Sequence, residues 1–244
     1  ITLAEIDEMN LRQVQMNKYI VNPETGISEP NPDLYKAINS ALMWECPDLT
    51  KEVQGGLTGF SGLVNACLTF TPETIVLQES KSGEIKDVIE AAISGHQVFT
   101  TVHANSPEAF FLRLLLMYQQ AAANISDSLI LQQIPLAFPV IVCFKRYPDG
   151  SRKISEITEL LGYDTIRNKP ITNTLLKYVH EGTYFDPDQG PNGKLVMKGQ
   201  HYSGRKFLSN KTLDIMRDGG LQDNVLDALK TEWNNSSKMD FNVS

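Results

Sequence analysis

The sequence predicts an α/β fold, in which a mainly parallel sheet with flanking helices is followed by a β-hairpin and a small α+β tail. Between residues 63 and 133, short apolar runs suited to buried strands alternate with segments of helical periodicity, which favours right-handed crossovers and a parallel sheet. The pattern then changes to two strand-like segments around a Pro-Asp-Gly turn. We place a domain boundary at residue 165, with a main domain over 1–165 and an appendage over 166–244.

The composition is that of an ordinary globular protein. The chain has 244 residues, 41% hydrophobic and 21% charged, which excludes collagen, coiled-coil and disordered classes. Its net charge of −7 argues against strong binding to DNA or RNA. Three scattered cysteines (Cys46, Cys67, Cys143) favour a reducing compartment over a disulfide framework. No apolar run reaches the roughly 18 residues that suggest a membrane span.

The first part of the chain predicts one strand end and a long loop. The apolar Ile1–Leu3 is the end of a strand, and it is followed by the carboxylates Glu5, Asp7 and Glu8. Taken alone, these carboxylates are best explained as a solvated turn; the alternative is a position at the carboxyl edge of a sheet. Residues 18–60, rich in Asn, Pro and Gly, predict a loop or insertion with one helical stretch near 32–43.

The middle of the chain gives the clearest local signals. A helix from about Leu63 is stopped by Pro72, and a buried strand follows at Ile75–Leu77. Gly95 then suits the left-handed cap of a helix that carries a stripe at 3.6-residue spacing. The members of the stripe are Ile85, Val88, Ile89, Ala92 and Ile93.

The remaining elements follow from capping and turn signals. A strand is predicted at Val98–Val102, and Ser106-Pro107-Glu108 predicts the start of a helix, with Ser106 as the N-cap. The later predictions are a helix at 127–133, a hairpin of 139–145 with 152–161, a strand at 195–197, a helix capped by Ser209 and ending at Gly219, and a last helix running to about Trp233.

Two strand ends carry residues suited to chemistry. Glu79 follows the strand at Ile75–Leu77, where a carboxylate can hold Mg²⁺ directly or through water, although a polar strand terminator is the favoured interpretation of this residue alone. His103 follows the next strand and is equally well explained as a capping or core residue. His96 lies at the other end of that strand, roughly 20 Å away at ~3.3 Å per residue, so a shared zinc site is not expected and a structural hydrogen bond is the favoured role of His96.

The Gly-rich segment 55–62 does not form a phosphate-binding loop of the P-loop type. That loop needs G-x-x-x-x-G-K-[ST], and no G-K-[ST] occurs in the chain.

Three segments together resemble the hexameric ATPases of type II and type IV secretion, conjugation and pilus assembly. Residues 1–11 are similar to that family's Asp box, residues 68–79 to its Walker B strand, and residues 94–107 to its His box, the most specific of the three. The resemblance covers about 1–165 and implies a partial RecA-like P-loop NTPase core. It also implies ATP and Mg²⁺ as cofactors.

The resemblance implies roles for individual residues. Glu8 corresponds to the glutamate that orients or activates the attacking water, and Glu79 to the Walker B glutamate acting on Mg²⁺ indirectly and on the water. His103, with Asn105 beside it, corresponds to the sensor of the γ-phosphate. Supporting positions are Glu5 and Arg113.

The chain departs from the family pattern at several positions. Ala4 replaces one acidic residue of the Asp box, and Lys81 stands where the family has an arginine. The Walker A motif is absent; we expect that it precedes Ile1 in the intact protein, and that this chain alone is inactive and binds ATP poorly.

The resemblance further implies a homo-oligomeric ring, usually a hexamer, that is cytoplasmic and peripheral at the cytoplasmic face of the membrane. Its partners would be inner-membrane secretion or pilus platform proteins. Two alternatives stay open: a degenerate, non-catalytic module that scaffolds a ring, and a nucleic-acid translocase, which the net charge of −7 disfavours.

Overall fold

The computed structural model describes residues 2–4, 19–21, 28–30, 43–45, 60–69, 72, 74–188 and 193–241. The chain divides into two compact units. The first comprises Ile1–His103 and Leu114–Ser126, and the second comprises Ala104–Arg113 and Asp127–Ser244.

The first unit contains a four-stranded sheet in the order β4-β1-β5-β6, with every neighbouring pair parallel. The strands are β1 (Thr2–Ala4), β4 (Met43–Glu45), β5 (Thr74–Leu77) and β6 (Gln97–Thr100). The predicted parallel sheet is confirmed, including the strand read from the apolar start of the chain. This establishes a mixed α/β class.

A second, two-stranded antiparallel sheet joins β2 (Tyr19–Val21) to β3 (Ser28–Pro30). These strands and β4 fall in the segment 18–60, so the prediction of a loop is wrong at those residues. The helical stretch predicted near 32–43 and the Gly-rich segment 55–62 lie largely outside the described residues.

Two described helices belong wholly to this unit: α1 (Phe60–Thr69) and α2 (Ile85–Ile93). Along α2 the predicted stripe is buried at Ile85, Val88 and Ile89, which are at most 2% exposed. At its end, however, the buried residue is Ala91, and Ile93 is 43% exposed. A φ of +106° at Gly95 ends the helix, so β5, α2 and β6 form the expected crossover.

The second unit is built on an antiparallel sheet in the order β10-β9-β8-β7. Its strands are β7 (Val140–Arg146), β8 (Arg152–Asp164), β9 (Lys169–Asp186) and β10 (Lys194–Ser203). The hairpin of β7 and β8 is confirmed, with Gly150 at φ +81° in its turn. The 18-residue β9 was not predicted. The boundary at residue 165 falls between two paired strands, and the assignment of 166–244 as an appendage stays a prediction.

The remaining helices are α3 (Pro107–Ala121), α4 (Asp127–Ala137), α5 (Asn210–Asp218) and α6 (Asp223–Asn235). The predicted caps are confirmed, because Ser106 accepts a hydrogen bond from the Ala109 amide at 3.1 Å and Ser209 accepts one from the Thr212 amide at 3.3 Å. Among the described residues, no helix has the length and apolarity needed to cross a bilayer.

Candidate functional site

The candidate site lies at the carboxyl edge of the parallel sheet in the first unit. In the register of β5 and β6, Leu77 is opposite Thr100, so both strands end at the same level. Glu79 follows β5 by two residues and His103 follows β6 by three. Adjacent parallel strands therefore deliver a carboxylate and an imidazole to one edge, which is where α/β sheets bind ligands.

Glu79 and His103 are in direct contact. His103 Nε2 lies 2.9 Å from Glu79 Oε1, and the Lys81 ammonium lies 3.3 Å from Glu79 Oε2. The Glu79 side chain is only 12% exposed, whereas that of His103 is 90% exposed. A shielded carboxylate is thus covered by an imidazole that reaches solvent. For Nε2 to donate to Glu79 it must carry the proton, which leaves Nδ1 as an acceptor in the neutral ring.

Hydrogen bonds between the two loops fix this arrangement. The Thr101 hydroxyl donates to the Gln78 carbonyl oxygen at 2.5 Å, and the Ser80 amide donates to the Thr101 carbonyl at 2.9 Å. The hydroxyls of Ser80 and Thr100 are 2.8 Å apart. Residues on both sides of Glu79 are therefore tied to the loop that ends in His103, so the contact does not depend on the two side chains alone.

The loop after Glu79 is held from its other side by the start of α2. Glu84 accepts hydrogen bonds from the backbone amides of Lys81 at 2.5 Å and Ser82 at 2.8 Å. Nearby, the Gln78 side chain is 8% exposed, and its Oε1 has no hydrogen-bond partner among the described residues. A buried oxygen acceptor of this kind is the type of atom that an ordered water or a ligand satisfies.

The other predicted site residues lie outside the described residues or in the second unit. Glu5 and Glu8 lie outside the described residues. The strand before them is placed, however, since Leu3 of β1 is opposite Leu77 of β5. Asn105 and Arg113 are exposed and belong to the second unit.

His96 has the structural role expected from the sequence. Its Nδ1 lies 3.2 Å from the Ala91 carbonyl oxygen and 3.3 Å from the Ser94 hydroxyl, at the C-terminal end of α2. It precedes β6, whereas His103 follows that strand. In the described part of the chain, no cluster of three or more His, Cys, Asp or Glu side chains has the spacing of a metal site.

A buried carboxylate in the second unit was missed by the sequence analysis. Glu159 of β8 is 0% exposed and accepts hydrogen bonds from Asn173 at 3.0 Å and from the hydroxyls of Ser209 and Thr212 at 2.5 Å each. Burial by itself raises the pKa of Glu159, but these hydrogen bonds outweigh it, so that the pKa lies below its ordinary value. The carboxylate is therefore a charged anchor for the N-terminus of α5. Only the Ser209 cap was visible in the sequence, because its partners are distant along the chain.

Comparisons with known proteins agree with the predicted resemblance. Residues 40–136 match the family described as Type II/IV secretion system protein. The Type IV secretion system protein VirB11 of Brucella suis is 39% identical over 75 residues, which is 30% of this chain and 21% of VirB11. The uncharacterized protein MJ1287 of Methanocaldococcus jannaschii is 27% identical over 125 residues, 51% of this chain and 44% of the relative.

The chain is also similar to a crystal structure of the VirB11 ATPase from the Brucella suis type IV secretion system in complex with sulphate. The match covers 40% of this chain and 32% of the VirB11 chain, with 35% sequence identity and a TM-score of 0.38. The matched part spans less than half the length of each of these relatives. The predicted resemblance to the type II/IV secretion ATPases is confirmed by the family match and by the relatives.

Proposed function

Because residues 40–136 match the Type II/IV secretion system protein family, we propose that this chain is part of a motor that hydrolyses Mg-ATP to drive secretion, conjugation or pilus assembly. In this proposal the parallel sheet of the first unit is a partial RecA-like core. The active form is a homo-oligomeric ring, a hexamer in the simplest case, in the cytoplasm at the inner face of the membrane. It acts there on platform proteins of the secretion or pilus machine.

The observation that carries the proposal is the contact of Glu79 with His103, at 2.9 Å across two adjacent strand ends. Phosphoryl transfer requires positioned charge more than covalent chemistry. A shielded carboxylate beside a solvent-facing imidazole supplies an acceptor for a water proton and a donor for a phosphate oxygen. Both groups lie at the same edge of the sheet, at the ends of adjacent strands.

The residues present fit a magnesium-dependent site. Mg²⁺ prefers oxygen ligands and keeps several waters, and this edge offers the shielded Glu79 carboxylate. Bound Mg²⁺ would supply neutralisation of the charge on the phosphate oxygens. We propose that Glu79 holds it through water rather than directly.

Both carboxylate oxygens of Glu79 are engaged, one by His103 and the other by Lys81. The phosphate groups of a nucleotide carry negative charge and would compete with the carboxylate for both of these donors. Once released, Glu79 can accept a proton from an attacking water, and His103 can donate to the phosphate. This exchange of partners couples nucleotide binding to the exposure of the base.

The other predicted residues take supporting roles in the proposal. Glu8 activates or orients the water together with Glu79, and Glu5 supports it from the same chain segment. Asn105 assists His103 in sensing the γ-phosphate, and Arg113 contributes a cation on α3. These assignments rest on the sequence resemblance.

The test is ATP turnover by the full-length gene product. Replacing Glu79 with glutamine keeps the shape of the side chain but removes the base, so kcat should fall at least ~100-fold, as for other lost transition-state contacts. We expect the same for Glu8→Gln. The matched control is Glu90→Gln, a 52%-exposed carboxylate on α2 that should leave turnover unchanged. Wild-type turnover by Glu79→Gln would refute the assignment.

A further inference from the structure

We infer that the hairpin of β7 and β8 is a docking surface for an anionic lipid bilayer. The inference rests on the proposed function only in placing the protein beside a membrane. The hairpin is basic, since the segment Lys145–Lys153 contains four basic residues and one acidic residue, whereas the whole chain carries −7.

The basic residues of the hairpin face each other in like-charged pairs. In the register of the two strands, Lys145 is directly opposite Lys153, and Arg146 is directly opposite Arg152. Like charges at directly opposed positions destabilise an antiparallel pair. Two such pairs in succession, next to the turn, lower the stability of the folded hairpin. Their presence is explained if this surface binds an anion.

The described structure provides only partial compensation for these charges. The Lys145 ammonium lies 5.7 Å from the centre of the Tyr147 ring, and the Lys153 ammonium lies 5.6 Å from that of Tyr178. Among the described residues, none of the four cations has a carboxylate within salt-bridge distance. The hairpin therefore presents cations that an external anion can pair.

An apolar row lies beside the cations. Val140, Val142 and Phe144 alternate along β7, the edge strand of the sheet, and they are 38%, 43% and 72% exposed. Alternation places them on the same face as Arg146 and its cross-strand partner Arg152, whereas Lys145 and Lys153 lie on the other face. Apolar side chains next to cations match the boundary between the headgroups and the acyl chains of a bilayer. There the apolar side chains are buried among acyl chains, and the cations pair with headgroup phosphates.

This combination favours a lipid surface over nucleic acid. A polynucleotide follows an extended basic track, and a chain of charge −7 would repel it outside the hairpin. A bilayer needs only a local basic and apolar patch, because repulsion from charges elsewhere in the protein is screened beyond a Debye length of about 10 Å. The phosphates of a nucleic acid would contact only the cations and would leave Val140, Val142 and Phe144 exposed to solvent.

The experiment is vesicle co-sedimentation of the full-length protein without nucleotide, using phosphatidylcholine alone or with about one-third phosphatidylserine. The wild type should bind only the anionic vesicles, and less as salt rises. Arg146→Glu removes the like-charged pair with Arg152, so it should raise the unfolding temperature while lowering the vesicle partition coefficient about 25-fold, at about fivefold for each unit of charge. A loss of binding in this variant thus cannot be attributed to misfolding.

Two controls make the comparison specific. Lys211→Glu changes the charge equally at an exposed position on α5 and should bind as the wild type does. Phe144→Ser should lose about tenfold through the burial of one aromatic ring. Phe185→Ser, which alters another aromatic residue of 60% exposure, should lose nothing.

Equal binding by Arg146→Glu and Lys211→Glu would overturn the inference, as would no binding to anionic vesicles at all. Tighter binding of the wild type to an oligonucleotide than to vesicles, lost in Arg146→Glu, would overturn it in favour of nucleic acid. Because the assay contains no nucleotide, its failure leaves the turnover prediction for Glu79→Gln intact. Likewise, a protein that lacks ATP turnover can still bind anionic vesicles in this assay.

Discussion

The buried Glu159 makes a quantitative prediction about stability. Its carboxylate is 0% exposed and accepts from Asn173, Ser209 and Thr212, and the Ser209 backbone amide also donates to it at 3.1 Å. In Glu159→Gln the side chain keeps its shape but loses its charge. Hydrogen bonds to a charged acceptor are worth about 1 kcal/mol more than neutral ones, and a negative charge at a helix N-terminus adds about 0.5 kcal/mol.

Glutamine carries no charge, so the variant avoids the free-energy cost of burying a carboxylate, and this offsets part of the lost stability. Four donors point at this carboxylate and its pKa lies below the ordinary value despite burial, so we expect the substitution to be destabilising in sum. We expect the free energy of unfolding to fall by about 2 kcal/mol. In Glu159→Ala the Ser209 amide also loses its partner, and the loss should reach about 4 kcal/mol.

The stability difference between the wild type and Glu159→Gln should depend on pH. A carboxyl group whose pKa is lower in the folded than in the unfolded state contributes stability above its unfolded pKa, about 4.3, and that stability is lost as pH falls through the folded value. The difference between the wild type and Glu159→Gln should therefore be constant from pH 7 to about pH 5 and shrink below that.

The assay is urea unfolding across this pH range, with hydrogen exchange of α5 as the local readout. Glu232→Gln, an exposed carboxylate on α6, is the matched control and should change stability by less than about 0.5 kcal/mol. If Glu159→Gln is as stable as the wild type at pH 7, or if the difference does not change with pH, the charged anchor does not exist.

Two further predictions concern single positions. A Cβ at Gly204 would overlap the Thr174 carbonyl oxygen, a backbone atom that cannot move aside, so Gly204→Ala should cost at least ~2 kcal/mol in a thermal or urea unfolding experiment; a neutral effect would show that the strands separate easily there. His96→Ala removes hydrogen bonds at the end of α2 and should cost about 0.5–1 kcal/mol while leaving ATP turnover within about twofold. A large loss of turnover with unchanged stability would instead place His96 in the chemistry.

Local signals in the sequence were sufficient for several elements of both units. The stripe of α2, the Ser106 cap and the Pro-Asp-Gly turn each depend on residues a few positions apart, and each is confirmed. Only the end of the stripe differs, with Ala91 buried in place of Ile93, because a nine-residue helix need not keep one face against its neighbours to its last turn.

Long-range features could not be predicted in the same way. The 18-residue β9 begins Lys169-Pro170 and carries polar side chains on both faces, so it shows no clean alternation of apolar and polar residues. Glu159 meets Ser209 and Thr212 across 50 and 53 positions, a separation that no local pattern encodes.

The candidate site was accessible from the sequence because parallel strands point the same way. That rule predicts that Glu79 and His103 lie at one edge of the sheet, and their contact at 2.9 Å agrees with it. The ion pair of Lys81 with Glu79 was not anticipated, since the sequence showed only that a lysine stands where the resembling family has an arginine.

The most direct test of the proposed motor site is a double-mutant cycle on ATP turnover by the full-length gene product, with Glu79→Gln, His103→Gln and the double variant. Groups that act as one unit lose their effect together, so the double variant should be about as slow as the slower single variant. If the two losses multiply, or if neither single variant loses activity, then the contact between Glu79 and His103 is not the site of ATP hydrolysis.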